Sequence, residues 1–335
     1  MSKNVTGIRN LTAMTENLNT TMNGTRPSSC SSNATEEKIG MAFAYCLIFI
    51  MSLAGNTAIG IIVYKTKTMR KPINFFIVNM AMSDLFLPIF LIPKAIQRFY
   101  TDSWLIGGLL GQVLCKLVFF FRDLSGAVSV QSLILIAVDR FGAVVFPLRS
   151  PLIRSKLCPF FILATWIVAI AVNSPKLLVN KLVEYPEGLF CEESWNKVFG
   201  ESSSPENYML SYLVVFMFIP LVLIAILYII ICLKLKSQKI PGEQSSNAGH
   251  QRQQRERNVL KMAIAIVLGF AVCWLPLAIL WCIVVFAHTI QWPNCGIHYV
   301  VYVVDFMSLA NSAINPCICL ILSRNYRNGL RALFK

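Results

Sequence analysis

Seven stretches of this chain, near residues 39–64, 73–97, 112–145, 157–179, 208–235, 258–287 and 297–321, each hold about 20 or more mostly apolar residues. At about 1.5 Å of rise per residue, such a run reaches the roughly 30 Å of a bilayer's hydrocarbon core as a helix. Lipid offers no partner to a backbone N–H or C=O, so a single spanning segment has to be helical. The expected fold is therefore an all-α integral membrane protein, a seven-transmembrane helix bundle. Composition agrees: with 56% hydrophobic and 14% charged residues and a mean hydropathy of +0.62, a water-soluble fold would expose more apolar surface than it could hide. No nucleotide-binding loop, zinc motif or catalytic triad signature appears, so no enzyme activity and no catalytic cofactor are expected.

Orientation follows from Lys and Arg in the short connections, because these charges resist translocation. Lys65, Lys67, Arg70 and Lys71 follow the first span, and Arg149, Arg154 and Lys156 the third. Lys234, Lys236, Lys239, Arg252, Arg255 and Arg257 lie between spans five and six, and Arg324, Arg327, Arg331 and Lys335 after the seventh. All four groups fall on one side, which is expected to be cytoplasmic. The net charge of +14 then faces anionic lipid headgroups and acidic partners, and needs no nucleic acid to explain it. Residues 1–38 are polar and carry N-glycosylation sequons at Asn4, Asn10, Asn19, Asn23 and Asn33. They are expected to form a disordered, glycosylated extracellular segment before a membrane domain at 39–322, placing a multi-pass protein in the plasma membrane. No apolar run precedes residue 39, so the first span is expected to act as the insertion signal. Residues 323–335 carry Tyr326, Leu330 and Phe334 at helical spacing among basic residues, which predicts a short amphipathic helix lying on the inner leaflet.

Cys46, Cys158, Cys232, Cys273 and Cys282 lie inside spans, where a small apolar thiol packs well. Cys115, at the outer end of span three, and Cys191, in the long outer loop at 180–207, face an oxidising compartment and are expected to form a disulfide. Cys30 and Cys295 lie on that side too, so a second bridge is open.

Charge within a span needs a reason. Asp84 sits near the middle of the second window, and Ser129, Asn311 and Asn315 reach a similar depth with oxygen ligands suited to a small hard cation. A hydrogen-bonded polar cluster holding water and no ion is the alternative. From Cys115 to Arg140 the 25-residue separation rises roughly 38 Å, so Arg140 reaches the opposite face. There it can pair with adjacent Asp139 or with Glu256 on a neighbouring helix. Pro220, Pro276 and Pro316 predict bends in spans five, six and seven.

The seven spans and the third one running from Cys115 to Asp139-Arg140-Phe141 resemble the rhodopsin-like, or class A, G-protein-coupled receptors. The likeness extends over residues 39 to about 333: Gly55-Asn56, Asn79 to Asp84, Trp166, Pro220 with Tyr228, Phe270 with Cys273-Trp274-Leu275-Pro276, and Asn311-Ser312 with Asn315-Pro316. The resemblance implies a sodium ion beside Asp84 that stabilises the resting state. It implies that Arg140 pairs with Asp139 and Glu256 at rest, then turns toward a heterotrimeric G protein as span six swings outward. It also implies that Val130, Pro220 and Phe270 form the contact that rearranges, with Trp274 as the floor of the ligand cavity. Phe141 stands where tyrosine is commoner. Cys319 stands where the family usually has a tyrosine that meets Tyr228 through water in the active state, and a thiol is a weak hydrogen-bond partner. A weakened active state follows. With no cysteine and no Ser/Thr-rich run after Ser323, kinase-dependent arrestin recruitment would rest on Ser237, Ser245 and Ser246.

The ligand is less constrained. Amine receptors of this family carry an aspartate where this chain has Arg122, and Asp123 is about 100° further round the helix. Span seven has no lysine for a retinal Schiff base. The Cys115-Lys116-Leu117-Val118 and Val128-Ser129-Val130 stretches, with Glu184, Glu187, Glu192 and Glu193 in the outer loop, look most like the neuropeptide receptors. The expected pocket residues are Arg122, Asp123, Trp274 and Asp305, with Arg122 meeting a ligand carboxylate or amide. A receptor for a small molecule or lipid and a non-signalling decoy are the alternatives. A transporter or channel would show paired half-sequences, and no internal repeat is found.

Overall fold

The computed structural model describes residues 35–101, 103–146, 151–200, 203–237, 247–286 and 296–333. Among them are seven helices long and apolar enough to cross a membrane, at Lys38–Lys65, Pro72–Gln97, Gly108–Val145, Ser155–Val179, Pro205–Ser237, Arg257–Ile283 and Tyr299–Leu322. Each coincides with one expected window. The sequons at Asn4, Asn10, Asn19, Asn23 and Asn33, together with Cys30, Cys295, Arg149, Lys239, Ser245, Ser246, Phe334 and Lys335, lie outside the described residues.

The third span is the axis of the bundle, packing against the second, fourth and fifth. More than half of its apolar window is buried, against 28% for the fifth span. That difference marks the fifth as peripheral: Val222, Ile226, Ile229 and Leu233 are exposed and present an apolar face suited to lipid. Cys46, expected to pack inside, is exposed on the first span, because its helical position turns it away from the bundle.

Polar residues knit the spans where lipid cannot satisfy them. Asn79 donates to Ser132 Oγ at 2.9 Å and Thr165 Oγ1 at 3.1 Å, and accepts from Trp166 Nε1 at 2.8 Å, so one amide joins spans two, three and four. Asn56 Nδ2 donates to the Ser312 carbonyl at 2.8 Å, joining spans one and seven. Beside it, a Cβ on Gly55 would come within 2.7 Å of the Pro316 ring, so only glycine lets these two helices approach as they do.

Prolines are accommodated without ending the spans. Pro276 and Pro316 lie inside continuous helices, as does Pro175 in the fourth span. Pro88 sits in a widened π-type turn at Leu87–Leu91, and a second such turn at Val214–Phe218 ends two residues before Pro220. An extra residue per turn absorbs the backbone bond that a proline ring removes.

After the seventh span, a helix at Arg324–Leu333 folds back on the bundle. Tyr326 is buried and donates to Asn74 Oδ1 at 3.2 Å, while Leu330 and Leu333 pack on the same core. Burial pushes the Tyr326 phenol well above its ordinary pKa, so it stays a hydrogen-bond donor.

Candidate ligand cavity and switch region

At the Cys115 end of the bundle, strands β1 (Asn180–Tyr185) and β2 (Gly188–Glu193) form an antiparallel hairpin pairing Leu182 with Cys191. The Cys115–Cys191 disulfide ties it to the third span with a Cα–Cα distance of 5.7 Å. Further ties come from Leu182 N to Gln112 Oε1 at 2.9 Å and Trp104 N to the Leu189 carbonyl at 2.6 Å.

Below this end lies a cavity of about 1250 Å³, counted with its open mouth, lined from spans two to seven. Phe270 and Trp274 stack with ring centroids 6.0 Å apart at its inner side. Gly126 lets the Trp274 ring approach the third span, since a Cβ there would lie 3.2 Å from it.

All four expected pocket residues, Arg122, Asp123, Trp274 and Asp305, line this cavity. Arg122, expected to meet a ligand's carboxylate or amide, is ion-paired with Asp305 across the bundle. Its Nη2 also lies 3.4 Å from Ser308 Oγ, and Arg98 stands 3.6 Å from the same aspartate. Arg98 in turn lies over the Tyr302 ring at 5.2 Å. Lys176, buried in the fourth span, forms an ion pair with Glu193 of β2. Arg98 and Lys176 were missed from the sequence, although a lysine inside the apolar run of span four is itself a signal.

Deeper in the bundle, Asp84 is fully buried. It accepts from Asn315 Nδ2 at 2.9 Å, Ser125 Oγ at 3.2 Å and Ser129 Oγ at 3.4 Å. Ser125, four residues before Ser129 and so on the same helix face, is an addition to the expected set. Asn311 was expected to join Asp84, yet both its amide atoms are buried without a hydrogen-bond partner among the described residues, as is Asn315 Oδ1. Unspent amide oxygens beside a carboxylate and two hydroxyls fit a small hard cation.

At the opposite end, Arg140 Nη2 pairs with Asp139 Oδ2 at 2.6 Å, and Nε reaches the same oxygen at 3.1 Å. Glu256 lies on the helix Asn247–Phe286, but its side chain is outside the described residues. Tyr228 is buried with its hydroxyl unpartnered among the described residues. Val130, Phe270, Tyr228, Cys319 and Tyr326 belong to one buried core, and Pro220 is buried on the fifth span. This core fills the space between the Arg140 pair and the Trp274 ring.

A seven-span bundle with a disulfide-pinned hairpin, a cavity at one end and an acid–arginine pair at the other is the architecture of a membrane receptor. Residues 55–318 match the 7 transmembrane receptor (rhodopsin family) model, and the chain belongs to that family. It is 31% identical to a QRFP-like peptide receptor of Branchiostoma floridae, over 87% of this chain and 76% of that one. Against the RYamide receptor of Drosophila melanogaster the identity is 29%, over 87% of this chain and 62% of the relative. Neuropeptide Y receptor type 2 of Macaca mulatta is 30% identical, over 91% of this chain and 78% of that receptor.

Proposed function

We propose that this protein is a cell-surface receptor for an extracellular peptide, with its N-terminus and hairpin outside, and that it activates a heterotrimeric G protein at its Arg140 end. The observation that carries the ligand class is the cavity: bearing both signs of charge on apolar walls, it suits a peptide end better than a single small apolar molecule. Relatives named as receptors for peptides support the same reading.

Activation in this reading is a population shift, since a ligand can favour only the state it binds more tightly. A ligand group that engages Arg122 or Asp305 weakens their pairing and loosens span three from span seven. Movement at Trp274 and Phe270 then repacks the core around Val130, Pro220 and Tyr228, and Arg140 leaves Asp139 to meet the G protein. The residues around Asp84 would hold a sodium ion in the resting state. The basic face of the Arg324–Leu333 helix lies on anionic inner-leaflet lipid, and arrestin, if recruited, uses serines of the loop after span five. Cells expressing the protein, screened with a peptide library while calcium and cyclic AMP are read in parallel, test the proposal. A response to some peptide that is absent from untransfected cells supports it; silence to every peptide, with a response to lipid or amine libraries instead, overturns the ligand class.

A further inference from the structure

The charged groups around the cavity are not all spoken for. Arg122 and Arg98 share Asp305, and Lys176 is paired with Glu193. Asp123 differs. Its carboxylate lines the cavity and has no hydrogen bond or ion pair among the described residues, although it sits on a membrane-spanning helix only eight positions after Cys115. The Lys176 ammonium, which lines the same cavity, donates to Glu193. A carboxylate at this depth without a committed partner is costly to keep in an empty protein.

Its surroundings indicate what would satisfy it. Tyr212 donates its hydroxyl to the Asp123 backbone carbonyl at 2.8 Å, which fixes the phenol ring beside this residue. Phe216 stacks on Tyr212 with centroids 5.3 Å apart, and both rings line the same cavity. A carboxylate in a cavity that these rings also line suits a cation, which can donate a charge-assisted hydrogen bond to it and meet an aromatic ring elsewhere in the cavity. The Arg98–Arg122–Asp305 group, with two guanidiniums on one carboxylate, instead favours acceptors such as a carbonyl or carboxylate.

We infer that Asp123 is the cation-binding residue of the cavity, and that the ligand presents a guanidinium or ammonium group to it. The inference rests on the cavity being the ligand site. Arg122 and Asp123 border one cavity, so neighbouring positions of the third span present both signs of charge to it.

The test uses the purified full-length receptor and two probes, N-acetyl-arginine amide and N-acetyl-citrulline amide, which match in shape and differ in one positive charge. Thermal melting is followed as each probe is titrated. The arginine probe is expected to raise the Tm at about tenfold lower concentration than the citrulline probe. Asp123→Asn should equalise the two, while Asp123→Glu should preserve the preference. Equal midpoints on the wild-type protein, or no shift from the arginine probe, would overturn the inference, as would an arginine preference that survives Asp123→Asn. The wild-type pair decides even if the asparagine variant does not fold. Failure of the peptide screen alone would strike the ligand class and not this site, since the probe titration needs no activating peptide.

Discussion

Asp84 places an acidic side chain, fully buried, in the second membrane span. An ionised carboxylate near the centre of a span costs roughly 3 kcal/mol or more, and here it is offset by bonds from Asn315, Ser125 and Ser129. The unpartnered amide atoms of Asn311 and Asn315 Oδ1 leave ligand capacity unspent. Sodium is therefore expected to raise the melting temperature of the purified receptor relative to a large organic cation at equal ionic strength. Asp84→Asn should abolish that difference, and an unchanged sodium effect in the variant would place the ion elsewhere. Cys319 is a second position at which one residue bears on the proposed activation. It is fully buried in the core that holds Tyr228 and Tyr326, so its thiol leaves the Tyr228 hydroxyl without a tyrosine to meet. Cys319→Tyr should raise basal nucleotide exchange, read on membranes with a G-protein heterotrimer. Because the site is close-packed, the larger ring should also cost about 1–3 kcal/mol of stability. Unchanged basal exchange at equal expression would count against a role for this position.

At the scale of elements, close approach decides which helices pair. Gly55 and Pro316 bring spans one and seven together, and Asn56 seals the contact through the Ser312 carbonyl. Gly55→Ala inserts a methyl within 2.7 Å of the proline ring. It should lower stability by about 1–3 kcal/mol, seen as a fall in Tm; a melting curve like the wild type's would show that the two spans can slide apart freely. The spans themselves were legible because lipid leaves an apolar run of this length one option, a helix. The widened turns at Leu87–Leu91 and Val214–Phe218 were not. A proline announces that a backbone bond is missing, but whether the chain kinks or takes up an extra residue depends on neighbouring helices. Cys46 failed for a related reason: an apolar residue in an apolar run carries no mark of which face it occupies when both lipid and core are apolar.

At the scale of the molecule, two charged ends are joined by one buried core. The Cys115–Cys191 link could be read from two thiols on the oxidising side, and Asp139–Arg140 from adjacency alone. The pairing of Arg122 with Asp305 could not, because their positions differ by 183 in sequence and their contact depends on how spans three and seven rotate about their axes. Lys176 and Glu193 escaped likewise, one belonging to a span and the other to a hairpin whose register only the fold supplies. In the proposed function Arg140, held at rest by Asp139, is what the G protein receives when the cavity end rearranges. Nucleotide exchange on a purified heterotrimer, measured with wild-type receptor and Arg140→Ala in equal amounts in lipid nanodiscs, tests it most directly. Wild-type protein should accelerate exchange above the receptor-free rate and the alanine variant should not, with matched surface expression in cells. Equal acceleration by the two proteins would contradict the claim.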